Sequence, residues 1–148
     1  MNPLVAVLLV QAWMPPADRT GMLNPLVTQD TIQKTICVSG WAASQRPPLS
    51  YTSKLKRQWL PAGRRMSDYE LDHLIPLSLG GAPRDPANLW LEPWADACGA
   101  GVKDDLERKL HHLVCAGDVS LSDAQVAIAD DWTVAYSRWV GPLPGCGR

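Results

Sequence analysis

The chain has 148 residues, enough for one compact domain with a hydrophobic core and too few for two typical domains. Hydrophobic residues make up 46% of the sequence and charged residues 20%, a composition that excludes a fully disordered chain. The formal net charge of -1 gives no whole-chain sign of a nucleic-acid binder. Seven Trp, no Phe and 13 Pro predict a core built on indole rings and a chain rich in loops.

The N-terminus carries an apolar run over residues 3–10, far shorter than the roughly 20 residues that span a membrane. No Lys or Arg precedes the run, and no small-x-small cleavage site follows it. Two interpretations stay open: a degenerate signal peptide of a secreted or periplasmic protein, or an arm that packs on a cytoplasmic one. We divide the chain into this segment with its linker (1–23), one domain (24–141) and a Pro/Gly-rich tail (142–148).

The first half of the domain is predicted to contain little regular structure. Residues 31–38 are rich in β-branched side chains, which favours a strand, although a short helix is the alternative. Residues 40–50 are predicted to form a loop because two consecutive prolines exclude a helix interior. Residues 53–60 are predicted to form a short basic helix.

The second half is predicted to contain two strands, over residues 69–77 and 88–91, followed by two helices. Apolar residues every three or four positions predict the first helix over 102–113, with Gly117 as its C-terminal cap. Ser122 and Gln125 match a capping box that would open the second helix. The stripe of that helix predicted to be buried comprises Ala124, Ile128, Trp132, Ala135 and Trp139.

Charge is distributed unevenly along the chain. Residues 31–67 contain seven Lys or Arg and no Asp or Glu, whereas thirteen of the 15 acids lie from residue 68 onward. Bases beside Tyr51 and Trp59 can bind phosphates while a ring stacks on a base or sugar, and an ordinary solvated face is the alternative. The predicted phosphate-binding residues are Arg46, Lys54, Lys56, Arg57, Arg64, Arg65 and, on the later helix, Lys103.

The four cysteines stand far apart, at Cys37, Cys98, Cys115 and Cys146. No C-x-x-C spacing occurs, which argues against a zinc ribbon or a thioredoxin-like pair. Four thiols allow three full pairings, and buried reduced cysteines are the alternative. His111 lies four residues before Cys115 on the predicted helix, but two ligands do not make a metal site.

The segment from Asp72 to Asn88 carries the strongest chemical signal. The imidazole of His73 titrates near neutrality and can take a proton from water. The carboxylate of Asp72 is a hard oxygen ligand that suits Mg²⁺ or Mn²⁺. Alternation along a strand sends these two side chains to opposite faces, so we expect the backbone to bend near Pro76 if both serve one site.

The spacing D-H-x-x-P-(x)3-G-G-(x)3-D-x-x-N-L, found over residues 72–89, resembles the signature of the HNH endonuclease family. The resemblance covers residues 24–137 and is greatest to a subgroup of small bacterial and phage proteins. It implies an α+β fold, a small single domain built on a ββα-metal finger with flanking helices and long loops. It also implies a metal-dependent endonuclease that cuts DNA, or alternatively RNA, with Mg²⁺ or Mn²⁺ favoured over Zn²⁺.

The resemblance implies a role for three residues of the motif. His73 matches the general base that activates water, Asp72 matches a metal ligand, and Asn88 matches the residue that holds the loop so that His73 is oriented. The family's third position, an Asn or His near the start of the finger helix, has no counterpart over residues 97–104. Asp96, Asp104 or water would have to replace it.

The subgroup also carries a cysteine pair, which implies a disulfide between Cys37 and Cys115. Two other functions remain as alternatives: an HNH-fold protein that binds nucleic acid without cutting it, and a phage structural or partner-binding protein. Trp90 and Trp94 are expected to cover the core of the finger. The sequence leaves the oligomeric state and the sequence preference of the enzyme open.

Overall fold

The computed structural model describes residues 14–95 and 98–145, so the predicted apolar segment with its signal-peptide interpretation lies outside the described residues. Within them the chain forms four helices and one two-stranded antiparallel sheet, which confirms the predicted α+β class. The elements, in chain order, are α1 (Trp41–Gln45), α2 (Leu49–Trp59), β1 (Tyr69–His73), β2 (Leu89–Pro93), α3 (Ala100–Ala116) and α4 (Leu121–Trp139). None of these helices is long and apolar enough to cross a membrane.

The sheet consists of β1 and β2, aligned so that Tyr69 faces Pro93 and His73 faces Leu89. The first strand stops four residues earlier than predicted. The last backbone bond between the two segments runs from the N–H of Leu74 to the carbonyl of Asn88 at 2.8 Å, and the next residue that could extend the ladder is Pro76, which has no N–H. The N–H and the carbonyl of Ile75 bond instead to the side chain of Asn88. The connection between the strands therefore forms a tight loop rather than more strand.

The N-terminal half differs most from the prediction. The segment predicted as a strand over 31–38 contains a 3₁₀ turn, Ile32–Lys34, and the predicted loop over 40–50 contains α1 and the start of α2. Pro48 precedes the first residue of α2, a position where a missing N–H breaks no helical hydrogen bond. The proline pair therefore starts a helix here instead of excluding one.

The hydrophobic core lies mainly between α3 and α4, where Leu106, Leu110 and Val114 pack with Ile128 and Trp132. Four members of the predicted α4 stripe are buried and the fifth is partly buried, which confirms the orientation of that helix. The predicted stop of α3 is also confirmed, because a glycine with a φ of 84° caps it.

The predicted start of α4 is wrong by two residues. Ser120, not Ser122, caps the helix, because its hydroxyl accepts the N–H of Asp123 at 3.1 Å. Gln125 makes no capping box. Its amide donates instead to the carbonyl of Leu79 at 2.8 Å, which attaches α4 to the loop between the strands.

A disulfide joins Cys37 to Cys115 across 78 residues, as the resemblance implied. It ties the segment after the 3₁₀ turn to the last turn of α3. Because Cys115 is oxidised and the Nε2 atom of His111 lies 2.8 Å from the carbonyl of Ile36, these two residues do not form the metal pair considered above.

Candidate active site

The side chains of Asp72 and His73 leave the end of β1 toward different partners. Asp72 contacts Lys103 on α3, whereas the ring of His73 contacts Pro83 in the loop between the strands. Both residues nevertheless line one cavity of about 510 Å³, which we call the site cavity. The bend expected near Pro76 is present at Leu74 and Ile75, directly after the end of β1.

One ring nitrogen of His73 is hydrogen-bonded to the protein, and the other has no hydrogen-bond partner among the described residues. Its Nε2 atom lies 2.9 Å from the carbonyl oxygen of Pro83. A carbonyl only accepts, so Nε2 carries the hydrogen and the lone pair lies on Nδ1. Burial lowers the pKa of His73 below its ordinary value, which keeps the ring neutral near pH 7. A neutral imidazole with a fixed ring and a free Nδ1 is equipped to accept a proton.

Asn88 holds the loop that supplies the Pro83 carbonyl. The Asn88 side chain is fully buried; its amide donates to the carbonyls of Ile75 at 3.0 Å and Ala82 at 3.1 Å. Its oxygen accepts the N–H of Ile75 at 2.9 Å. The two ends of the loop are thus joined through one side chain, directly beside Pro83. The ring of His73 is positioned by this loop and not by a direct contact with Asn88.

The glycine pair of the motif has a steric reason. A Cβ on Gly81 would lie 1.8 Å from the carbonyl oxygen of Ile75, so a side chain cannot be placed there without moving the loop. Gly80 adopts a φ of 80°, the left-handed region that glycine enters at least cost. Both glycines allow the loop to close over Asn88.

Lys103 is fully buried between β1 and α3. Its ammonium donates to Asp72 Oδ2 at 2.7 Å, to Glu107 Oε1 at 2.6 Å and to the carbonyl of His73 at 3.0 Å. Burial alone would lower the pKa of Lys103, but the charges of Asp72 and Glu107 outweigh burial and raise it. The lysine is therefore charged, and it attaches α3 to the end of β1.

Two further carboxyl groups surround Asp72. Burial and then the charge of Asp72 raise the pKa of Glu92 to about 10, which favours the neutral acid at pH 7, and its Oε1 atom is buried without a hydrogen-bond partner among the described residues. Burial and then the charges of Asp72 and Asp104 raise the pKa of Glu70 to about 7. One oxygen of Glu70 is buried without a hydrogen-bond partner, and this residue lines the site cavity. The sequence analysis assigned no role to either acid. Glu70 could have been found, because it lies two residues before Asp72 and therefore on the same face of β1.

The resemblance implies a divalent cation at Asp72, and the donor set there does not fit one. Asp72 Oδ2 already accepts the Lys103 ammonium and the indole N–H of Trp90, at 3.2 Å. Across residues 14–95 and 98–145, no three His, Cys, Asp or Glu side chains are grouped so that they could hold a metal ion. Asp104 lines the site cavity, and Asp96 lies outside the described residues. We therefore assign no step to a metal.

The predicted phosphate-binding residues fall into three groups. Arg46 and Lys56 line the site cavity. Lys54, Arg57, Arg64 and Arg65 are exposed outside its lining, and Arg65 pairs with Asp68 at 2.9 Å. Lys103 has no access to a phosphate, because it is buried and all three of its bonds go to protein oxygens.

The two tryptophans of the motif region have different environments. Trp90 is buried, as expected, and its indole N–H donates a hydrogen bond to Asp72 Oδ2. Trp94 does not cover the core: it is 48% exposed and lines the site cavity. Its position one residue after β2, beyond the alternating strand pattern, was the only signal in the sequence for this difference.

Comparisons with known proteins add no relative. No protein-family model matches the chain, and no curated protein or solved structure is significantly similar to it.

Proposed function

We propose that this protein is an endonuclease of the HNH type that hydrolyses phosphodiester bonds in DNA. The observation that carries the proposal is the position of the His73 imidazole, whose Nε2–H donates to the carbonyl of Pro83 while the ring lines a cavity that Arg46 and Lys56 also line. The antiparallel β1–β2 pair followed by α3 has the element order of a ββα finger.

In the proposed reaction, the Nδ1 atom of His73 takes a proton from water. The water oxygen bonds to phosphorus while the phosphorus–ester oxygen bond breaks, and the leaving oxygen takes up a proton from solvent. Arg46 and Lys56 bind phosphate oxygens at the wall of the site cavity. The acidic side chains that line the same cavity would repel a phosphate, so the two bases are needed to hold the strand there.

The test is nicking of supercoiled plasmid by the full chain, with His73→Ala as the central variant. We expect the variant to lose about 10²–10⁴-fold in rate, the usual contribution of a positioned base. His112→Ala is the matched control, because His112 is exposed on α3, and its rate is expected to equal that of the wild type. No cutting of plasmid or of single-stranded DNA by the wild type, or equal cutting by His73→Ala, would overturn the proposal.

The same assay tests the metal requirement that the resemblance implies. Mg²⁺, Mn²⁺, Zn²⁺ and a chelator are compared at equal ionic strength. Activity that disappears with the chelator and returns with Mg²⁺ or Mn²⁺ supports the requirement, whereas undiminished activity in the chelator contradicts it. His73 remains the base in either case.

A nucleic-acid-binding protein without nuclease activity is the second candidate. The observation that favours it is the pairing of Asp72 with Lys103, which occupies the oxygen expected to bind a cation. Salt-sensitive DNA binding with no cleavage under any of the four conditions would support this candidate.

A further inference from the structure

The site cavity has an exposed aromatic ring in its lining. The indole of Trp94 is 48% exposed, and the backbone N–H of this residue donates to the carbonyl of Asp68 at 3.1 Å. The rigid pairing of β1 with β2 ends directly beside it, at Tyr69 and Pro93. A large apolar ring held at a cavity on an anchored backbone offers a flat contact surface to a ligand.

Cationic and hydroxyl side chains from the first two helices and their connection also line the cavity. Arg46, which follows α1, and Lys56 on α2 are its two bases, and Thr52 and Ser53 lie on the same helix as Lys56. Four acids line the cavity as well, so a phosphate must lie nearer to the two bases than to Glu70, Asp72, Asp104 and Glu107. Grooves that bind single strands combine these two elements, cations along the backbone path and an aromatic ring on which a base stacks. The cavity volume of about 510 Å³ falls within the range of about 300–1,000 Å³ typical of small-ligand pockets.

We propose that the site cavity binds single-stranded DNA, with one base stacked on Trp94 and neighbouring phosphates on Arg46 and Lys56. This inference rests on the proposed nuclease function and names the state of its substrate. Both faces of a paired base are covered by its neighbours in a duplex, so a base must leave the stack before it can contact the indole. That extraction costs free energy in a duplex and little in a single strand.

The position of Trp94 separates binding from the chemical step. Tyr69, paired beside Trp94, and His73 stand at opposite ends of β1, about 13 Å apart at the usual rise of a strand. The base on Trp94 and the phosphate at His73 therefore belong to different nucleotides. Loss of the ring should raise KM or Kd and leave kcat nearly unchanged.

Binding is tested on the full chain carrying His73→Ala, which prevents cleavage, with a fluorescent oligonucleotide as a single strand and as its duplex. We expect Trp94→Leu, which keeps apolar bulk without a flat ring, to raise the Kd for the single strand about 5- to 150-fold. Trp94→Phe keeps the ring and should retain most of the affinity. Thermal unfolding of each variant verifies that it is folded. The Kd for the duplex should change little in either variant.

Cleavage by the otherwise unaltered chain supplies the second measurement. The wild type should cut the single strand faster than the duplex of the same sequence, and Trp94→Leu should raise KM with kcat retained. Equal cleavage of both substrates, or an unchanged KM in Trp94→Leu, overturns this inference and leaves the nuclease proposal intact. Binding that depends on Trp94 without any cleavage supports the inference and overturns the nuclease proposal.

Discussion

Two groups of charges flank the site and differ in how they meet solvent. The buried charge cluster, Asp72, Lys103 and Glu107, joins β1 to α3, and its lysine is fully buried. The helix α2 carries Lys54 and Arg57 exposed to water. Leaving a buried charge without a partner costs several kcal/mol, whereas water and salt screen an exposed charge, so that its pairing contributes little to stability. The first group should therefore determine stability and the second the attraction of a polyanion.

The largest effect is expected from removing the cation of the buried charge cluster. Lys103→Met keeps the length of the side chain but leaves Asp72 and Glu107 without their partner. Breaking one partner of a buried pair costs about 3–5 kcal/mol in the free energy of unfolding. Urea denaturation measures the loss in the free energy of unfolding. The control is Lys109→Met, because Lys109 is exposed on the same helix. A loss in Lys103→Met no greater than in the control would show that the cluster is not structural.

A smaller loss is expected from the loop that positions His73. Asn88→Ala removes the partner of two carbonyls and of the N–H groups of Ile75 and Met22, which should cost about 2–3 kcal/mol. The loop carrying Pro83 should loosen as well, so the pKa of His73 followed by NMR should move toward that of an exposed imidazole. An unchanged titration of His73 would mean that the loop is held without Asn88.

The cavity acid Glu70 connects stability to pH. Its pKa rises from 4.5 unfolded to about 7 folded, so the folded state binds more protons between these values. The contribution of Glu70 to the free energy of unfolding is therefore fully present below pH 4.5 and is lost as the pH rises through about 7. Glu70→Gln should become more stable relative to the wild type from pH 5 to pH 8, in denaturation at each pH. A curve for Glu70→Gln that runs parallel to that of the wild type would refute the shift.

The smallest effect on stability is expected from the solvated bases. Lys54→Ala and Arg57→Ala should change the free energy of unfolding by less than about 0.5 kcal/mol, because neither side chain is buried. DNA affinity should still fall, and the slope of log Kd against log salt should decrease by about one for each lost phosphate contact. Fluorescence anisotropy at several salt concentrations measures both. An unchanged slope would place the DNA path away from α2.

Much of the fold could be predicted from local patterns. The α4 stripe and the glycine that ends α3 were confirmed, because helical periodicity and left-handed φ depend on neighbouring residues alone. The predicted start of α2 and the predicted end of β1 were wrong, the first for a local reason and the second for a long-range one. A proline that excludes a helix interior is harmless before its first turn. The strand β1 stops just before a turn in which the side chain of Asn88, thirteen residues later, bonds to the N–H and the carbonyl of Ile75.

The site divides in the same way. The sequence by itself determined that an Asp-His pair, two glycines and an asparagine stand at a spacing that folds into one loop, and that the bases precede them. Only the tertiary structure decided which charges lose water: Lys103 meets Asp72 across 31 residues, while Lys56 and Trp94 face the cavity. Burial arises where β1 and α3 pack, and no local pattern records that contact, because desolvation is a property of the assembled chain.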